Sequence, residues 1–481
     1  MKNKFLFLFL FFLCLLPIWF FDYVPILDYP QHLLRIHIMK NLDNAAFDYS
    51  QNYSLNITPT NFILDYFVIA ISNFVSIDFA IRFILSVYLL LLPLSIFYFL
   101  FSLDKNQAIL GFLSFPLAYN FFVNMGFVSF VLSLPFFFFS LGYFIRNFDL
   151  KPEKSMFPIA IISSFLLFLH VFYFLFLCFC IFLILFFEKG YREAINKILW
   201  FFPHFLILFI VVLLNYSSIS NSLYFVFDPI ILVYLLSVFP FEYSAFSLFI
   251  FFIILSFWLF LLFRSLFLKD FPSYVKRSFF TPLLIGTLLI FLILPMHLGI
   301  WGYFKIRILP FFYVVFLSLV KVPRGEKIRK VILFLSVFLT FLSVFSVFLD
   351  FHERNAEVSE YVSGISLLDR NSDFLPLNFG YGNCLTRYAL CHSWAYYAIG
   401  NGGKTPYFNL FKEYHPLKKN YADPGHLGVL FNYPEEYSKG DYSSFEYVIV
   451  WNRSAEVERT ISKNFVLIYS SDRLRIYSRE R

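Results

Sequence analysis

The chain has 481 residues, of which 60% are hydrophobic and only 14% charged. A soluble protein of this length carries roughly 25% charged residues, so composition excludes an ordinary soluble enzyme and indicates a polytopic α-helical membrane protein. The formal charge of +7 does not signal nucleic acid, because the basic residues sit in short loops between apolar runs, where they act as topology determinants.

Lys2 and Lys4 precede an apolar run over 5–21. Phe20-Phe21-Asp22-Tyr23 offers no small-residue cleavage site, so this run is expected to be an uncleaved first transmembrane helix with its N-terminus in the cytoplasm. A spanning helix needs about 20 apolar residues. Further candidates cover 79–101, 108–122, 127–145, 156–169, 171–187, 198–214, 246–264, 279–299, 307–321 and 330–349. The loops at 146–154, 188–197, 264–277 and 321–330 are all net basic. With about 11 spans, all four fall on the cytoplasmic side, as the positive-inside trend requires. Residues 60–76, which contain Asp65, and 229–241 are semi-polar or short. They are expected on the outer face or as extra spans, which sets the range at 11–13. The run 156–187 is split at His170, because one crossing there would invert the next basic loop.

The expected domains are therefore a transmembrane module over 1–349, with a first extracytoplasmic loop at 22–78, and an extracytoplasmic domain over 350–481. The tail has ordinary charge content and Gly/Asn/Pro punctuation. Runs at 446–451, 465–470 and 474–477 read as strands. His392 to Ile399 reads as a helix ended by Gly400. The tail is thus expected to be a small mixed α/β domain. Cys14, Cys178 and Cys180 lie in apolar runs and read as packing residues. Cys384 and Cys391 lie in the tail, where an oxidising compartment permits a disulfide; their spacing leaves that pairing open.

Carboxylates, a histidine and an arginine converge just after the first span, between Asp22 and Arg35. Asp28 stands at an N-cap position, with Pro30 in the first turn. The following helix, roughly 30–42, sets His32 and Arg35 along one side. One reading makes Asp28 a cap on a helix lying along the membrane. The other makes it a base that accepts a proton from an acceptor hydroxyl. Asp22 is the competing carboxylate. Lys305 and Arg307 follow a short outer turn, against the positive-inside trend. They read either as snorkelling to headgroups or as ligands of a phosphate. His170, His204 and His297 lie in or beside spans, where ionisable residues are functional candidates but neutral, hydrogen-bonded histidines are commoner. No metal-ligand spacing and no nucleotide-binding loop is present. His392, Trp394, Tyr396 and Tyr397 read as core in preference to an aromatic sugar platform.

The order of first helix, long outer loop with an early aspartate, many spans and outer C-terminal domain resembles the GT-C superfamily of membrane glycosyltransferases. The stretch Leu27-Asp28-Tyr29-Pro30-Gln31-His32-Leu33-Leu34-Arg35 also resembles a D-x-P-N-H-x-x-R pattern of uncharacterised bacterial membrane proteins of this kind, with Gln31 in place of Asn. So does His392-Ser393-Trp394-Ala395-Tyr396-Tyr397-Ala398-Ile399-Gly400-Asn401-Gly402-Gly403. The resemblance implies a glycosyltransferase in a bacterial inner (plasma) membrane. It would move a sugar from a polyprenyl-phosphate-linked donor to a saccharide, lipid or protein acceptor in the cell envelope. It further implies catalysis by Asp28 or Asp22, donor phosphate binding by Lys305 and Arg307, and an entrance lined by His32 and Arg35. No D-x-D motif is present, so a divalent metal is left open. The alternatives are a transporter or flippase for lipid-linked saccharides, and a non-catalytic assembly factor.

Overall fold

The computed structural model describes residues 2–56, 61–214, 223–224, 245–267, 280–298, 302–322, 325–379, 390–408, 415–421, 434–439, 444–452 and 454–479. The molecule is mostly helical, with a small sheet near the C-terminus. Among the described residues, six helices are long and apolar enough to cross a membrane, and shorter apolar helices accompany them. The expected segment at 229–241 lies outside the described residues.

Helix α1 (Lys2–Phe20) is followed by α2 (Tyr29–Lys40), α3 (Ile63–Ser72) and α4 (Ile77–Leu103). The C-terminus of α1 leaves carbonyls without intrahelical partners. Arg82 of α4 satisfies them, donating through Nη1 to the carbonyls of Ile18 and Phe21, both at 2.7 Å. Helix α3 has ten residues, about 15 Å of rise, too short to cross a bilayer. It nevertheless buries Asp65 completely.

The run expected as a membrane helix at 108–122 takes another form. It is an eleven-residue 3-10 helix, Gln107–Leu117, followed by a short turn of helix at Phe121–Asn124. Gly111 lies against the Phe97 ring, where an added Cβ would come within 2.6 Å. Ser114 turns its hydroxyl back onto the Gly111 carbonyl, at 2.6 Å, and Pro116 removes a donor. These features favour the tighter winding, which rises ~2 Å per residue. The segment runs beside α1. Phe115 packs on Phe7, with ring centroids 5.1 Å apart. The Tyr119 hydroxyl donates to the Cys14 carbonyl at 2.6 Å, and Leu27 N–H donates to the Asn124 carbonyl at 2.9 Å.

Helices α5 (Val128–Arg146), α6 (Pro152–Leu169) and α7 (Val171–Lys189) pack next. The expected break at His170 is present. Its φ of −164° ends α6, and its Nδ1 accepts the Phe172 N–H at 3.3 Å to start α7. The last membrane helix, α8 (Glu326–Tyr361), has 36 residues, about 54 Å. It passes without a break through the expected boundary at residue 350, so the tail is carried on the end of a bundle helix.

The tail holds a four-stranded sheet of β2 (Phe374–Asn378), β4 (Tyr447–Trp451), β6 (Leu474–Arg479) and β5 (Phe465–Ser470), in the spatial order β2-β4-β6-β5. The β2–β4 pair is parallel and the others are antiparallel. Strand β2 was not legible, because Pro376 interrupts it and both faces are buried, so no alternation shows. Helix α9 (Trp394–Asn401) ends at Gly402, with φ +85°, rather than at Gly400. A left-handed residue there closes the last turn. Cys391 is disulfide-bonded, whereas Cys14, Cys178 and Cys180 are buried free thiols; Cys384 lies outside the described residues.

Whole elements help to fasten the tail to the rest of the molecule. Strand β1 (Tyr53–Leu55) of the first loop pairs antiparallel with β3 (Leu417–Lys419) of the tail. Helix α2 faces two cores, giving Leu33 and Ile36 to the bundle and Leu34, Ile38 and Met39 to the tail.

Candidate active site

Asp28 occupies the N-cap position of α2, yet its side chain makes no capping hydrogen bond. The backbone explains this. Asp28 has helical backbone angles, φ −85° and ψ −1°, not the extended ones that aim a capping side chain at the first free N–H groups, and its own N–H donates to the Met125 carbonyl at 3.3 Å. Gly126 lies directly beneath it, with φ +80°; a Cβ there would come within 2.8 Å of both Asp28 Cβ and N. The Asp28 side chain is about 30% exposed, and its Oδ1 lies 3.4 Å from His392 Nε2. Burial pushes the Asp28 carboxyl up to about 7, with the Arg35 charge partly offsetting this.

His392 reaches Asp28 from the start of α9. Its Nδ1 lies 2.7 Å from Gln31 Nε2. An amide N–H only donates, so Nδ1 accepts and the ring proton sits on Nε2, facing Asp28. Burial, assisted by His32, lowers His392 to about 3, so the ring is neutral at pH 7. The tail domain therefore presents a neutral N–H donor to the carboxylate.

A second chain of bonds supports the floor. Asp65 accepts two hydrogen bonds from Arg35, Nε to Oδ2 at 2.9 Å and Nη2 to Oδ1 at 2.8 Å. Arg35 Nη2 also lies 2.8 Å from His32 Nδ1, and His32 Nε2 lies 2.9 Å from the Gly126 carbonyl. A guanidinium only donates, so Nδ1 accepts and Nε2 carries the proton given to Gly126. Burial and Arg35 lower His32 to about 4, consistent with that neutral tautomer. His415, just before β3, is held well below the ordinary range by burial and by the charge of Arg35, with His32 adding to this.

The expected residues thus fall into different places. Asp28, His32 and Arg35 belong to one cluster, but Arg35 is buried against Asp65 rather than lining an entrance. Asp22 is exposed at the end of α1, and its carbonyl accepts from Arg82. Lys305 and Arg307, which read from the sequence as snorkelling side chains or phosphate ligands near the outer surface, are 2% and 7% exposed. Arg307 Nη1 lies 2.9 Å from His170 Nε2, and its guanidinium sits over the rings of Phe127 at 4.9 Å and Phe130 at 5.0 Å. Phe127 follows Gly126, so Arg307 and Asp28 flank the same loop. Lys305 Nζ lies over the Phe291 ring at 5.6 Å. His204 is bonded to Ser164 at 2.8 Å. Trp394 and Tyr397 are fully buried core, and Tyr396 packs edge-on against Tyr23.

In the sequence His392 reads as core, and Asp65, Gly126 and His415 carry no local mark of a site. Only His392 carried a usable signal, through its motif. Among the described residues, no group of three or more His, Cys, Asp or Glu side chains is arranged to hold a metal ion. No family model and no curated protein matches the chain.

Proposed function

We propose that this protein is a GT-C-like membrane glycosyltransferase of the bacterial inner membrane, with about 11 spans, its N-terminus in the cytoplasm and its tail outside. It moves a sugar from a polyprenyl-phosphate donor to an envelope acceptor. The observation that carries the reading is the largely buried Asp28 carboxyl, pushed up to about 7, faced by the His392 imidazole and built on a backbone floor that only glycine fits. A general base works best with a pKa near the operating pH.

In this reading Asp28 takes the proton of the acceptor hydroxyl as the acceptor oxygen bonds to the anomeric carbon. The bond from that carbon to the phosphate oxygen breaks, and its electron pair leaves on the polyprenyl phosphate. Arg307 and Lys305 supply positive charge toward the leaving phosphate, the kind of electrostatic service on which such transfers depend. His392 orients the base, and the Asp65–Arg35–His32 chain holds the loop under it. Asp22, exposed and outside the cluster, ranks behind Asp28.

The test is complementation of a knockout by wild type, Asp28→Asn and Asp22→Asn, with envelope glycans read by mass spectrometry and membrane levels by blot. Loss of one glycan mass with Asp28→Asn at normal abundance supports the enzyme. Wild-type glycans from both variants would sink it in favour of a transporter or assembly factor.

A further inference from the structure

At the end of the bundle opposite Asp28, a groove of about 510 Å³ opens between the start of α1, the far half of α4, the start of the 3-10 segment and the start of α8. That volume lies within the ~300–1,000 Å³ range of small-molecule sites. Its walls are apolar, formed by Phe7, Leu8, Leu94, Phe97, Ile109 and Phe112, with Ala108 beside them. The Phe97 ring packs on Gly111, where a Cβ would come within 2.6 Å of it. Phe5 and Phe9 of α1, near the groove, are 71% and 56% exposed, as expected of a helix facing hydrocarbon.

The polar residues of the groove are Lys4 and Arg329, with no carboxylate among its lining residues. They come from the first turns of α1 and α8, whose positive dipole ends point the same way. The nearest acid on α8, Glu326, is taken by Lys330 at 2.9 Å. A greasy slot with two cations at its end is complementary to an acyl chain under an anionic headgroup, and it repays a zwitterionic lipid less.

We propose that this groove is a binding site for one anionic glycerophospholipid, its acyl chain along Phe7, Phe97 and Phe112 and its phosphate between Lys4 and Arg329. The site is separate from the Asp28 cluster and does not depend on the reaction assigned to it.

The full-length protein, purified and stripped of lipid in detergent, would be titrated with phosphatidylglycerol and with phosphatidylcholine, and bound lipid counted by native mass spectrometry. Wild type is expected to retain one phosphatidylglycerol roughly tenfold more tightly than phosphatidylcholine. Lys4→Ala/Arg329→Ala should reduce that preference to near unity, and Lys4→Arg/Arg329→Lys should keep it. Leu94→Trp, which fills the slot from its half-exposed side, should weaken both lipids while leaving helix content unchanged by circular dichroism. Equal affinity of wild type for the two lipids would overturn the proposal without any variant. So would a preference that survives the double alanine substitution, or phosphatidylglycerol binding untouched by Leu94→Trp.

Discussion

Asp28 differs from an ordinary carboxylate through its surroundings. The ionised form is disfavoured in the fold, so the native state binds a proton more readily than the unfolded chain does. This group therefore costs stability as pH rises from about 4 to about 7. Asp28→Asn removes that cost, and at pH 8 the variant is expected to melt no lower than wild type in detergent while transfer falls roughly 10²–10⁴-fold. A variant that instead melts well below wild type would mark Asp28 as structural. The acid limb of the rate profile should lie near 7 rather than near the ordinary carboxylate value. His392→Phe removes the N–H that faces the ionised form, so the limb should move to higher pH. An unmoved limb would mean that His392 only packs. Gly126→Ala should lower both activity and the melting temperature, because the new methyl meets Asp28 at a φ that alanine resists.

At the scale of elements, α2 and α3 are joined by a buried ion pair. Removing one partner of such a pair typically costs about 3–5 kcal/mol, while replacing both by apolar groups is far milder. Arg35→Met is therefore expected to destabilise strongly by leaving Asp65 buried and uncompensated, and Arg35→Met/Asp65→Leu should recover most of the loss in thermal unfolding. Additive losses would show that the pair is not the joint between these helices. The 60–76 stretch was ambiguous in sequence because a carboxylate in an apolar run fits both an interfacial helix and a span. Asp65 resolves once its partner, thirty residues away on α2, is seen. The candidate span at 108–122 runs beside α1, but 107–117 winds as a 3-10 helix, for a similar reason. Apolar composition reports burial, while the tighter winding follows from Gly111, Ser114 and Pro116 meeting particular neighbours.

For the molecule as a whole, the β1–β3 ribbon and the two-faced α2 make first loop and tail one body at one end of the bundle. Ser54 and Lys418 are register partners across that ribbon. The double variant Ser54→Cys/Lys418→Cys is expected to form an intramolecular disulfide, seen as a mobility shift reversed by reductant, with transfer retained. Failure to cross-link in intact membranes would place the two segments apart and remove His392 and His415 from the site.

Some of this was settled by the sequence alone. Membrane character, the break at His170, strands β4 to β6 and the prominence of Asp28 follow from local pattern: apolar run length, a polar residue inside it, alternation, and a charge beside a span. The tertiary structure alone decided that Asp28 is not a cap, that Arg35 is spent on Asp65, that Gly126 forms the floor, and that His392 comes from the far end of the chain to face the carboxylate. These are contacts between residues about 30 to 360 positions apart, and no local periodicity encodes which distant side chain will share a buried space.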